Sequence, residues 1–191
     1  MDYEPLFDLS GRTVCLTPRL PLEFTIDFLL RLHADPEHWK KPITLYLGLN
    51  TDFQRPLRAV EALALCGIIA SLRSPTNTVC IGLATGYEAL VLAAGKERHL
   101  LPQSLVSVGE NELELPNGNL GLNPSGSSYR IQAQEQIHSR IDDLFQHLKL
   151  SPDLWRKPQI LSATQAVKFR LADKIVPQLN PPLPFYAPTK S

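Results

Sequence analysis

Five histidines stand at 33, 38, 99, 138 and 147, and no pair among them has a spacing that builds a site by itself. His33, Asp35, Glu37 and His38 crowd the end of one apolar-periodic segment. Imidazoles five residues apart do not stack on one helical face, so this set makes a poor metal centre. His138 and His147 fall in a long polar segment and read as solvated. Glu110, Glu112 and Glu114 alternate along one face of a short run, which reads as a wet outer face rather than an acid/base pair. Gly82 and Gly86 bracket a strand-to-helix turn. No Lys or Ser/Thr follows in the phosphate-loop position, so tight packing is the better reading of that pair. There is no GxGxxG, HExxH or CxxC, and no Ser/His/Asp set is announced by spacing. Cys15, Cys66 and Cys80 each sit inside an apolar run, as buried free thiols do.

The elements that would position these residues alternate along the chain. Residues 13–17 form a β-branched run ended by Pro18, a strand. Residues 22–34 carry apolar positions at helical spacing with Glu23 in the first turn, and Asp35-Pro36 stops them. Residues 43–47 are a short buried strand. Residues 58–72 form a helix that is apolar on most sides. Strand 78–82, the apolar helix 87–94 closed by Gly95, and strand 104–108 follow. Residues 112–122 alternate Leu with polar residues around Asn117-Gly118, a hairpin signal. A polar helix at 129–149 bears one apolar stripe: Ile131, Ile137, Ile141, Leu144, Phe145 and Leu148. Ser162 and Gln165 form a capping box opening a helix to residue 170. Residues 175–176 are a last short strand, and five prolines make 177–191 an extended tail. Alternating strands and helices, with strands 43–47, 78–82 and 104–108 buried on both faces, predict an α/β fold with a mostly parallel sheet.

Composition narrows the function classes. In 191 residues, 19 Lys+Arg balance 19 Asp+Glu, and only Lys40-Lys41 and Arg156-Lys157 are adjacent basic pairs. A neutral chain without a basic patch is not a general binder of nucleic acid or anionic membrane. No apolar run approaches the ~18–20 residues of a spanning helix. The free thiols fit a reducing cytoplasm or plastid stroma, and the first residues, Met1 to Pro5, which resemble neither a secretion signal nor a transit peptide, favour the cytoplasm or synthesis inside the organelle.

Longer strings say more than isolated motifs. GLATGYEALVLAAG at 82–95 resembles the nucleophile-bearing turn and helix of the Clp protease proteolytic subunit family, ClpP, which reads roughly GQAASMGAFLLxAG. RHLLPQSLVSV at 98–108 resembles the family's R-x-x-LPNSRVMIHQP. RTVCLT at 12–17 resembles its opening strand, ERVIFLTG, and ITLYL at 43–47 its strand IYLYI. ILSATQAV at 160–167, then LADKI at 171–175, resemble FLSAxEAVEYGLVDxI. The likeness runs in order over about 11–176. It implies a short N-terminal segment at 1–11, a ClpP/crotonase-like spiral of ββα units at 12–176 with a protruding handle helix at about 129–149, and the tail 177–191.

The departures carry the functional expectation. Through this resemblance the family's serine falls on Gly86, its histidine on Gly109 and its aspartate near Pro158. None of the three can act as nucleophile, base or orienting carboxylate. GLNTDF at 48–53 stands where the family's NSPGG loop forms an oxyanion hole. Thr85 and Ser107 neighbour the lost positions, but a one-residue shift along a strand turns a side chain to the opposite face. The resemblance therefore implies a non-catalytic, ClpR-type subunit without cofactor, placed beside active ClpP-type subunits in a heptameric ring or double ring. The helix stripe is a candidate subunit interface unless its own head domain covers it. Tyr46 marks the strand where a Clp ATPase loop would dock. Two alternatives stand beside this one: a stand-alone adaptor that reuses the fold, and a crotonase-like acyl-CoA enzyme that uses the 48–53 and 82–86 loops.

Overall fold

The computed structural model describes residues 7–17, 21–34, 36–49, 57–109 and 124–179. The chain order is β1 (Phe7–Asp8), β2 (Thr13–Cys15), α1 (Leu22–His33), a 3-10 turn (Pro36–His38), β3 (Ile43–Leu47) and α2 (Ala59–Ser71). It continues through β4 (Thr76–Cys80), β5 (Leu83–Ala84), α3 (Glu88–Ala94), β6 (Glu97–Leu100), β7 (Leu105–Val108) and α4 (Pro124–Leu148). It closes with α5 (Pro152–Arg156), β8 (Gln159–Ser162), α6 (Ala163–Lys168) and β9 (Lys174–Ile175).

Two sheets share these strands. One is six-stranded in the order β1-β2-β3-β4-β6-β9, parallel throughout except for β1; the other is three-stranded, β5-β7-β8. Successive units place one strand in each sheet and then a helix: β4, β5, α3, and next β6, β7, α4. This is the expected ββα spiral. The register also corrects one expectation. Strand β3 is buried on both faces, but β7 alternates: Val106 and Val108 face the core, while Leu105 is 40% exposed. The cause is its membership of the small second sheet, which the core covers on one side only.

The main core lies between the large sheet and the helices. Leu45, Leu47, Leu65, Leu90, Leu92 and Leu100 are all fully buried there. Thr78 Oγ1 donates to Leu92 O (2.6 Å) and Ser104 Oγ to Cys80 O (2.7 Å), so two buried hydroxyls pin β4 to α3 and to the approach of β7. The capping box holds: Ser162 N–H donates to Gln165 Oε1 (2.9 Å), and Gln165 N–H to Ser162 Oγ (3.4 Å). Helix α4 begins five residues before the expected start, because Pro124 is tolerated in a first turn and the Ser-Gly-Ser-Ser run continues the helix. Strand β6 was not foreseen. Glu97-Arg98-His99-Leu100 lacks any β pattern and is held extended by β4 on one side and β9 on the other.

Candidate functional site

The candidate region read from Gly48, Gly82 and Gly86 lies at the carboxyl ends of β3 and β4, where parallel sheets place their ligand crevices. Gly48 leaves β3 at φ +76° and packs on the start of the next turn. A Cβ on Gly82 would sit 2.4 Å from Gly48 O, and Leu83 N–H already donates to that oxygen (3.2 Å). The Gly82/Gly86 pair is thus tight packing on the Gly82 side and a left-handed turn at Gly86, with φ +51°. Thr85 and Glu88 then close the turn on each other. Glu88 N–H donates to Thr85 O (3.0 Å), and Thr85 N–H donates to Glu88 Oε2 (3.1 Å).

Glu88 was missed in the sequence. It is 2% exposed, and burial pushes its carboxyl up to about 7 against the pull of the Thr85 N–H. Its signal was a lone acid opening a helix whose remaining residues, Ala89 to Ala94, are all apolar. In the family string quoted above the same place holds glycine, so this carboxyl is a local departure at the turn.

Gly109 and Pro158 meet in space. β7 pairs antiparallel with β8, and Val108 lies opposite Gln159, which sets the residues just outside the ladder against each other. Gly109 has φ +128°, and a Cβ there would lie 2.5 Å from Pro158 Cα and 2.9 Å from its N. The position therefore accepts no side chain without movement of the Pro158 backbone. Ser107 pairs across with Ile160, on the face of the small sheet that turns from the core.

No protein-family model matches the chain. It is 26% identical over 173 residues to the ATP-dependent Clp protease proteolytic subunit-related protein 4, chloroplastic, of Arabidopsis thaliana, a match covering 84% of this chain and 53% of that protein. The chain therefore spans about half the length of the curated relative it matches. A peptidase from Plasmodium falciparum superposes with TM-score 0.68 at 23% identity, over 89% of this chain and 98% of that one. A second solved structure, named only as an enzyme, gives TM-score 0.68 at 22% identity with the same coverages. The solved structures give the fold, and the sequence similarity is to a ClpP-related protein. The fold is ClpP-like.

Within this ClpP-like fold two of the strings that carried the resemblance, 98–108 and 171–175, touch. Arg98 donates from Nε to Asp173 Oδ2 (3.1 Å), from Nη2 to Asp173 Oδ1, and from Nη1 to Arg170 O (2.9 Å). Asp173 is held below the usual carboxylate range, first by the Arg98 side chain. The pair ties β6 to the segment that leads into β9.

The stripe on α4 is covered by the chain's own head. Ile141 is 4% and Phe145 1% exposed, and Ile137, Leu144 and Leu148 pack at the margin of the main core. Phe145 lies 5.4 Å from the Trp155 ring, which in turn lies 5.6 Å from Tyr87. Of the two covers the sequence left open, the chain's own head provides one at these five positions, with α2 and α5 supplying the apolar partners. The side chain of Ile131 lies outside the described residues. Tyr46, on the candidate docking strand, does not face solvent in this chain. It is fully buried with Cys15 and Val79, on the sheet face away from the helices, and burial pushes its hydroxyl up to about 12.

The remaining candidates resolve simply. His33 Nδ1 accepts from Arg73 N–H (3.3 Å), and its ring stacks on Trp39, so it is a packing residue. The three cysteines are buried free thiols, each pushed up to about 11 or 12 by burial. Among the described residues no group of three His, Cys, Asp or Glu is placed to hold a metal, and no helix is long and apolar enough to cross a membrane. Glu110, Glu112, Glu114 and the 112–122 hairpin lie outside the described residues.

Proposed function

We propose that this chain is a non-catalytic subunit of an ATP-dependent Clp protease core. It fills a position beside active ClpP-type and ClpR-type subunits in a heptameric ring or double ring, and contacts a Clp ATPase only through that complex. The observation that carries the reading is the contact of Gly109 with Pro158, the positions the resemblance gives to the base and its orienting acid. One has no room for an imidazole and the other has no carboxylate. With glycine also at 86, the three positions that the resemblance gives to nucleophile, base and orienting acid carry none of these groups. The chloroplastic relative favours work in a plastid stroma over the general cytoplasm.

Native mass spectrometry of the tagged protein, drawn from its own cells, tests this. The expected result is a large complex holding this chain and triad-bearing subunits in whole-number ratio. A monomer or small homo-oligomer alone would overturn it in favour of a stand-alone adaptor.

A further inference from the structure

A cavity of about 300 Å³ lies where the chain leaves α2 and enters β4. The end of α2, Pro75 and Ala94 give it an apolar wall, and Arg73, Ser74, Thr76 and Lys96 give it polar groups. Local bonds fix these four in place. Leu72 N–H closes α2 on Ile68 O (3.1 Å), and the next three residues turn the chain into the sheet. Lys96 follows α3 directly, and its N–H donates to Thr76 O (2.7 Å).

Two buried hydroxyls stand at the wall. Thr76 and Thr78 alternate onto the helix side of β4, where Thr78 Oγ1 donates to Leu92 O. Thr76 is 2% exposed, and its Oγ1 has no hydrogen-bond partner among the described residues. Buried hydroxyls are nearly always partnered, so an orphan beside a cavity points to a ligand atom. Ser74, 1% exposed, accepts from Arg12 Nη2 (3.0 Å) and keeps its own hydrogen to donate.

Charge decides the sign of that ligand. The Arg73 guanidinium stacks on Trp39, with Cζ 4.2 Å from the ring centroid, and stacking by the face leaves the edge N–H groups to donate. Neither Arg73 nor Lys96 has an ion pair among the described residues. Two helices end here, each carrying about −0.5 of a charge at its carboxyl end. Two full cations outweigh them, and the buried Arg12 guanidinium adds a third behind Ser74. The cavity is therefore positive.

We propose that this cavity binds a small phosphate monoester, its phosphate held by Arg73, Lys96, Thr76 Oγ1 and Ser74 Oγ and its organic body laid on the apolar wall. A phosphate monoester carries about −1.5 to −2 at neutral pH and spreads three acceptor oxygens, which suits two cations and two hydroxyls better than a planar, singly charged carboxylate. At ~30 Å³ per water-sized group the cavity has room for about ten, enough for the phosphate and a compact body. The site lies within one chain and does not depend on ring membership.

Calorimetric titration of the full-length chain with phenyl phosphate tests this, with inorganic phosphate and benzoate alongside. Phenyl phosphate should bind one to one, at least tenfold tighter than benzoate, and inorganic phosphate should compete with it more weakly. Thr76→Val keeps the side-chain shape, removes the hydroxyl and should weaken phenyl phosphate about tenfold. Lys96→Ala, a change at an exposed side chain, should weaken it by a similar factor and decides the matter should Thr76→Val fail to fold. No binding by the natural chain overturns the proposal, and so does benzoate binding as tightly as phenyl phosphate. Unchanged affinity in folded Lys96→Ala, with only a lowered melting temperature, would assign that cation to the helix end alone and also overturn it.

Discussion

A Cβ on Gly109 would lie 2.5 Å from the Cα of Pro158, closer than any real Cβ contact. The two residues follow and precede paired strands, so neither can retreat without breaking the β7–β8 ladder. Gly109→Ala should cost about 2–5 kcal/mol, from strain at φ +128° together with overpacking. Urea denaturation of the isolated chain reads this. A change under about 0.5 kcal/mol, the size of an ordinary surface substitution, would mean that the contact is not what holds this corner.

The same contact bears on whether triad residue types could act at these positions. A Gly86→Ser/Gly109→His/Pro158→Asp triple variant should hydrolyse no fluorogenic peptide above background. Restoring residue types does not restore a geometry in which the base has no volume to occupy. Measurable turnover with an acyl-enzyme burst would show that the corner relaxes.

Glu88 should make stability fall as pH rises. Its folded carboxyl is raised to about 7 from an ordinary value of 4.5, so between these values the folded chain holds a proton that the unfolded chain has released. Stability is then greatest below about pH 4.5 as far as this group is concerned, declines through the window, and levels above about 7. The swing is about 2–4 kcal/mol. Glu88→Gln keeps an acceptor for the Thr85 N–H and should flatten that decline. Chemical denaturation at a series of pH values checks the slope; an unchanged slope in the variant would remove Glu88 as its source.

Phe145 tests whether α4 belongs to its own head. Phe145→Ala should cost the isolated chain about 3–5 kcal/mol, because the ring is 1% exposed against Trp155. Had the stripe served chiefly a neighbour, the lone chain would scarcely register the change.

Asp173 acts with the opposite sign to Glu88. Its folded value is depressed by Arg98, so its contribution is present above the ordinary carboxylate range and is lost as pH falls through the lowered value. The pair is partly exposed, which limits its worth to about 1 kcal/mol or less. Asp173→Asn should remove this small acid-side loss, and the same pH series would show it.

Much of the fold was legible because the signals were local. Strand Ile43–Leu47 was found at both ends, since five apolar or β-branched residues follow a polar run. The Ser162/Gln165 box fixed the start of α6. Strand β6 was not legible, because its extended form is imposed by two neighbouring strands rather than by its own residues. The α4 stripe could be seen but not its cover, which comes from α2 and from Trp155, far apart in sequence. At the candidate site, the assignment of 86, 109 and 158 to the triad places came from comparing strings. The contact of Gly109 with Pro158 needed the ladder, and the burial of Glu88 needed the surrounding core.

The sheet orders also govern how this chain is made. β7 lies between β5 and β8, and β6 lies between β4 and β9. Both outer partners, β8 and β9, come from the last third of the sequence, so in a growing chain β6 and β7 each lack a partner on one side until residues 159–175 emerge. Such edges invite strand addition by other chains during that interval. Synthesis of this protein is thus expected to lean on chaperones that hold nascent β edges, and a stop codon before residue 159 should yield aggregate rather than a smaller folded product.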